Sequence, residues 1–215
     1  MAKAAPEGFL AVPSSGKGPG VLVLHAWWGL NDTFKGVCTR LAKAGYVAFA
    51  PDLYHGKVVS TVPEAEKAVQ ELDVKHVEAE AEVAEAARFL LEHPGTVGRG
   101  LSVIGFSMGA YYALNLSTSE TAGVRSVVLF YGTGPGDFSK SKAAYLGHFA
   151  EDDPYESKEN VEWLESSLKQ ANRPVTIHHY PGTGHWFFEP DRPDAYNKAA
   201  ADLAWDRTLV FLKRE

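Results

Sequence analysis

The sequence predicts an α/β fold, a mostly parallel central sheet with helices on both faces. Three observations predict it. Short apolar runs rich in β-branched residues recur along the chain, and segments with helical periodicity separate them. Those runs are apolar throughout rather than alternating, as strands are when crossover helices bury both faces of a parallel sheet. The third observation is local: at one strand-to-helix junction a serine stands between two glycines, Gly105-Phe106-Ser107-Met108-Gly109.

Residues 21–24 read as the first strand, and residues 32–44 as a helix with Phe34, Val37, Cys38 and Leu41 on one face. Asn31 or Asp32 is placed to cap it, and Gly45 to end it. Residues 46–50 form the next strand, beyond which Asp52 is placed to fix the loop. From 63 to 93 the pattern is helical, with a break near Asp73 and a stripe of Val74, Val77, Ala81, Ala84 and Leu91. Pro63 suits a first helical position, and Pro94-Gly95 closes the second helix. Strands are expected at 101–104, 124–130, 143–149 and 174–180, and helices over 110–116, 157–170 and 195–212. There is no repeat, low-complexity tract or large lid, so residues 1–215 are expected to form one domain.

Composition narrows the function classes. With 45% hydrophobic and 22% charged residues the chain has the balance of a globular protein. Its formal net charge of −6, without a basic run, argues against nucleic acid as a partner. No apolar stretch reaches membrane-spanning length, and the first eight residues lack the apolar centre of a signal peptide. A single cysteine, Cys38, lies on an apolar helical stripe as a small hydrophobe would, and a cytoplasmic location is expected. No His/Asp/Glu/Cys group shows metal-ligand spacing on one element, and no cofactor is expected.

The chemistry centres on Ser107. A serine in G-x-S-x-G between a strand and a helix is the nucleophile elbow of α/β-hydrolases: the tight turn pushes its hydroxyl above the sheet, facing the N–H groups of the next helix. A serine hydroxyl needs a base to take its proton, and the base needs an orienting acid; in this fold they follow as Ser, Asp/Glu, His. Pro181-Gly182-Thr183-Gly184-His185 is a glycine-rich loop after the last strand, which lets His185 reach back over the sheet. The acid comes from Glu151-Asp152-Asp153-Pro154, where Asp153 is favoured and Asp152 is the alternative. Oxyanion-hole donors are expected from the backbone of Met108 and of Trp27. An aromatic lining of Trp27, Trp28, Tyr54, Tyr131 and Trp186 is expected around a neutral acyl or aryl group, although each of these could equally be core.

Leu24-His25-Ala26-Trp27-Trp28-Gly29-Leu30-Asn31, Ala50-Pro51-Asp52-Leu53-Tyr54, the elbow, Phe130-Tyr131-Gly132 and Gly184-His185 occur in that order over nearly the whole chain. In these motifs the sequence resembles the dienelactone hydrolase family of α/β-hydrolases. The resemblance implies a compact sheet and hydrolysis of small esters or lactones without a cofactor. Three positions depart from the founding enzymes of that family. Ser107 stands for their cysteine, Ala26 for a glutamate that regulates it, and Glu189 for an arginine that binds the substrate carboxylate. Residues 52–73 hold no arginine either, so an anionic lactone is expected to meet the Glu189 carboxylate, and neutral esters are expected as substrates. Acceptance of an anionic lactone would need another cation, Lys57 or Arg192.

A small-molecule ester or lactone is thus the expected partner, with a monomer plausible. A thioesterase or acyltransferase would use the same residues on another bond or acceptor. A binding protein that keeps the fold without catalysis is the remaining reading. It is disfavoured by the presence of serine, histidine and acid candidates together.

Overall fold

In a computed structural model describing residues 5–119 and 123–214, seven strands form one sheet in the order β1-β3-β2-β4-β5-β6-β7. The strands are β1 (Gly8–Ala11), β2 (Gly18–Leu24), β3 (Val47–Pro51), β4 (Thr96–Phe106), β5 (Val124–Phe130), β6 (Ala144–Ala150) and β7 (Val175–Tyr180). All neighbours pair in parallel except β1, which runs antiparallel to β3. The helices are α1 (Asp32–Lys43), α2 (Val62–Val74), α3 (His76–Glu92), α4 (Met108–Ser117), α5 (Lys158–Gln170) and α6 (Lys198–Arg214). Residues 1–4, on which the signal-peptide reading partly rests, lie outside the described residues. Among the described residues no helix is long and apolar enough to cross a membrane.

Strand side chains alternate between two cores, as a pleat requires. In β2, Leu22 and Leu24 face the core beneath α2, α3, α4 and α5, whereas Val21 and Val23 face the core beneath α1 and α6. Phe34, Val37, Cys38 and Leu41 are all buried on α1, and Asn31 rather than Asp32 caps it, its side chain accepting from the Phe34 N–H. Gly45 follows with a φ of 98°, where an L side chain would be strained.

The stripe expected along α2 and α3 is corrected. Val74 and Val77 are 85% and 66% exposed, and α3 instead buries Ala79, Val83, Ala86, Ala87 and Leu90. The helix breaks at Lys75, so periodicity read across the break loses its phase. In an alanine-rich helix, moreover, two faces look almost equally apolar. The β1 strand was not expected at all: it is a four-residue edge that alternates between exposed and half-buried. The last helix starts at Lys198, three residues late, because residues 192–197 are held in turns, among them Ala195 N–H to the Arg192 carbonyl.

The topology places the site. From β2 the chain moves outward to β3, then returns past β2 to β4, so the strand order reverses between β2 and β4. Ligands in such sheets bind beyond the carboxyl ends at that reversal. Leu24 pairs with Gly105 there, which sets the loop after β2 against the turn after β4.

Candidate active site

Ser107 occupies that turn with φ 50° and ψ −115°, a strained conformation for a residue with a side chain. Close packing holds it. A Cβ on Gly105 would collide with the Gly109 carbonyl, and one on Gly109 with the Leu24 carbonyl, so both flanking glycines are required by contact. The Ser107 N–H donates to the Phe130 carbonyl at 2.9 Å, tying the turn to the end of β5.

His185 reaches the same point from the loop after β7. Its Nδ1 lies 2.7 and 2.8 Å from the two Asp153 carboxylate oxygens, and its Nε2 lies 2.9 Å from the Ser107 hydroxyl. The carboxylate accepts the Nδ1 proton, which leaves Nε2 free to accept from the serine. Both the histidine and the aspartate side chains are 4% exposed. Asp153 is itself fixed, its Oδ1 accepting from the backbone N–H groups of Tyr155 and Glu156. Asp152 is exposed and is engaged through its backbone N–H on the Thr183 carbonyl. Glu151 accepts from Gly182 N–H at 2.8 Å, and Glu156 accepts from the Thr133 N–H and hydroxyl. The loops after β5, β6 and β7 are therefore bound to one another.

The loop after β2 is anchored by His25, which is fully buried. It donates Nδ1–H to the Ala26 carbonyl and accepts the Leu53 N–H on Nε2, and burial pushes its pKa down, so it stays neutral. Asp52 turns the neighbouring loop by accepting from the N–H groups of Tyr54 and Gly56. Trp27 is thereby brought to the rim of a cleft of about 290 Å³ that it shares with Ser107, Met108, Tyr111, Tyr155 and His185. A second cleft of about 440 Å³ opens on the other side of His185 and Tyr155, lined by Trp28, Trp186, Arg192 and Gly184 among others.

The expected lining is thus divided. Trp27 borders the first cleft, and Trp28 and Trp186 the second. Tyr54 lines neither. It faces a groove beside α2 and α3 and sends its hydroxyl to the Met108 sulfur at 3.5 Å. Tyr131 is fully buried beneath the histidine, with ring centroids 4.9 Å apart, and donates its hydroxyl to Glu189 at 2.7 Å. Tyr131 follows the end of β5 directly, whereas Tyr54 lies in the turn three residues past β3. Sequence reasoning missed Tyr111 and Tyr112, four and five residues beyond Ser107, and Tyr155, two beyond Asp153. That closeness to the motif residues was the only available signal.

The expectation for Glu189 is also corrected. Glu189 is wholly buried against Tyr131 and faces neither cleft, so it cannot repel a substrate carboxylate directly. Burial raises its pKa to about 8, with Asp191 adding to the rise while the Tyr131 hydrogen bond opposes it. Neither proposed cation is free at Ser107. Lys57 pairs with Glu71 at 3.1 Å, and Arg192 stacks 3.5 Å over Trp28 while donating to the Ser60 carbonyl. Among the described residues no group of three or more His, Cys, Asp or Glu is disposed to hold a metal ion.

The sequence profile of the dienelactone hydrolase family matches residues 7–215. The chain belongs to the dienelactone hydrolase family. A relative in this family, the probable 2-oxo-3-(5-oxofuran-2-ylidene)propanoate lactonase of a Bradyrhizobium species, is 32% identical, over 95% of this chain and 88% of its own. Protein usf of Aquifex pyrophilus is 30% identical, over 96% and 92% respectively. Among solved structures, a dienelactone hydrolase-like promiscuous phosphotriesterase from metagenomic libraries superposes with a TM-score of 0.82 at 21% identity, covering 100% of this chain and 89% of that one. That likeness establishes the α/β-hydrolase fold alone. Within the dienelactone hydrolase family, then, this member carries serine at the elbow and buries an acid four residues after the histidine.

Proposed function

We propose that the protein hydrolyses small carboxylic esters or lactones through a Ser107–His185–Asp153 triad. The observation that carries this reading is the unbroken hydrogen-bonded chain from the Ser107 hydroxyl through His185 to a buried, doubly anchored Asp153. His185 takes the serine proton as Oγ attacks the substrate carbonyl carbon, and Asp153 stabilises the imidazolium. The oxyanion that forms is assigned to the backbone N–H groups of Met108 and Trp27, two residues that border the same cleft as Ser107. Collapse expels the alcohol, which receives the proton from His185 and leaves an acyl group on Ser107. Water, deprotonated by His185, then attacks that acyl carbon and releases the acid and the free serine. In a lactone the alcohol and acyl group stay joined, so the product is one hydroxy acid.

The Bradyrhizobium relative is named as a lactonase, which supports the lactone arm. A cytoplasmic location belongs to the same reading, on the ground that Cys38, the single cysteine, is buried and unpaired. The test is turnover of p-nitrophenyl esters from acetate to octanoate. Ser107→Ala is expected to lower kcat by roughly 10³-fold or more. Unchanged turnover in that variant would overturn the reading, as would failure of a fluorophosphonate to label Ser107.

A further inference from the structure

The first cleft has a chemical character that the triad does not use. Trp27 and Tyr155 stand edge to face with centroids 5.4 Å apart, and Tyr111 and Tyr112 do the same at 5.2 Å. All four rings border the space beside Ser107, together with the thioether of Met108. The one acidic side chain that borders this cleft is Asp73, exposed in the last turn of α2. No lysine or arginine borders the cleft. Its surroundings are acidic as well: beyond burial, Asp73 and Glu80 raise the pKa of both Tyr111 and Tyr112. The faces of tryptophan and tyrosine rings attract cations, above all alkylammonium groups too weakly hydrated to prefer water.

The triad also assigns a direction to the substrate. Ser107, which takes up the acyl group, and Met108 border only the first cleft, whereas His185, which must protonate the departing alcohol, borders both. The acyl group therefore belongs in the first cleft, which leaves the second to the alcohol.

We propose that the aromatic cleft receives an acyl chain ending in an alkylammonium group, held by the faces of Trp27, Tyr111, Tyr112 and Tyr155 with Asp73 as counter-charge at its mouth. This rests on the ester-hydrolase reading for the orientation of the substrate. The net charge of −6 adds long-range attraction for such a cation. The Bradyrhizobium relative is named for a substrate carrying a carboxylate, so the two family members would differ in the sign of charge they select.

The experiment compares p-nitrophenyl 4-(trimethylammonio)butanoate with its neutral isostere, p-nitrophenyl 5,5-dimethylhexanoate, and with the anionic 4-sulfobutanoate. In the wild-type protein kcat/KM is expected to fall in the order cationic, neutral, anionic, with about tenfold between the first two at low salt. Asp73→Asn is expected to shrink the cationic-to-neutral ratio at least threefold, and Tyr111→Leu to shrink it further. Equal or reversed rates in the wild type, or a ratio that Asp73→Asn leaves untouched, would overturn the proposal. Ser107-dependent turnover of the neutral ester would meanwhile leave the hydrolase reading standing. A second measurement is independent of catalysis: butyltrimethylammonium titrated into the Ser107→Ala protein, followed by tryptophan fluorescence. Saturable binding weakened by Asp73→Asn is expected, and no saturable change sinks the cation site even if no ester is ever turned over.

Discussion

At the scale of single residues, two adjacent aspartates share a loop and have separate fates. Asp153 turns inward because its Oδ1 accepts two backbone N–H groups, which points the carboxylate at His185 Nδ1. Asp152 turns outward and is exposed. Asp153→Asn keeps the oxygen that those two N–H groups need, so the loop is expected to survive. The amide nitrogen, however, would present hydrogens to His185 Nδ1 and favour the tautomer protonated on Nε2. That form cannot accept the serine proton, so kcat is expected to fall by about 10²- to 10⁴-fold. Asp152→Asn is expected to leave kcat within about twofold, since it loses only solvated charge. Steady-state kinetics of the two variants on one ester check both, and the reverse ranking would transfer the role to Asp152.

At the scale of elements, what was readable in the sequence was what is local in it. The strand–turn–helix around Ser107 and the glycine-rich loop before His185 carry their geometry in consecutive residues, and both stand where the pattern puts them. Tyr131 and Glu189, by contrast, lie 58 residues apart, and nothing local announces that one donates to the other. Beyond Trp27 the aromatic cleft was equally hidden, because α2, α4 and the loops after β2, β6 and β7 all contribute to it and meet only in the folded sheet. Contact between elements also decides which glycines matter. A Cβ on Gly132, just past β5, would lie 2.5 Å from the Ser107 carbonyl oxygen and 2.8 Å from the Ala110 Cβ. Gly132→Ala is therefore expected to push the elbow out of place, lowering kcat at least tenfold and stability by about 1–3 kcal/mol. Gly36, inside α1, has nothing within 4 Å of such a Cβ. Gly36→Ala is expected to raise stability by about 0.5–1 kcal/mol and leave kcat alone, since it only removes a flexible residue from a helix. Urea unfolding and kcat of the pair provide the check, and equal behaviour of the two variants would refute the contact argument.

At the scale of the whole molecule, buried ionisable groups give stability two opposing slopes with pH. Burial lowers the pKa of His25, and that of His148 well below its ordinary value, so the unfolded chain binds more protons than the folded one at low pH. Those histidines erode stability as pH falls below about 6.5. Glu189 works the other way. Its pKa of about 8 in the fold, against 4.5 when free, means that the folded state holds a proton the unfolded state has lost. Stability from this group is complete below pH 4.5 and declines as pH rises, levelling off above about 8. The loss reaches about 5 kcal/mol at most, a large share of what a domain of this size has to spare. Glu189→Gln keeps an oxygen for the Tyr131 hydroxyl and cannot ionise, so it removes that decline alone. Its urea midpoint is expected to match wild type near pH 5 and to exceed it increasingly up to pH 9. Parallel midpoint curves for the two proteins over that range would mean that Glu189 ionises as freely in the fold as in the unfolded chain, and that the acid beneath His185 is not held in its neutral form.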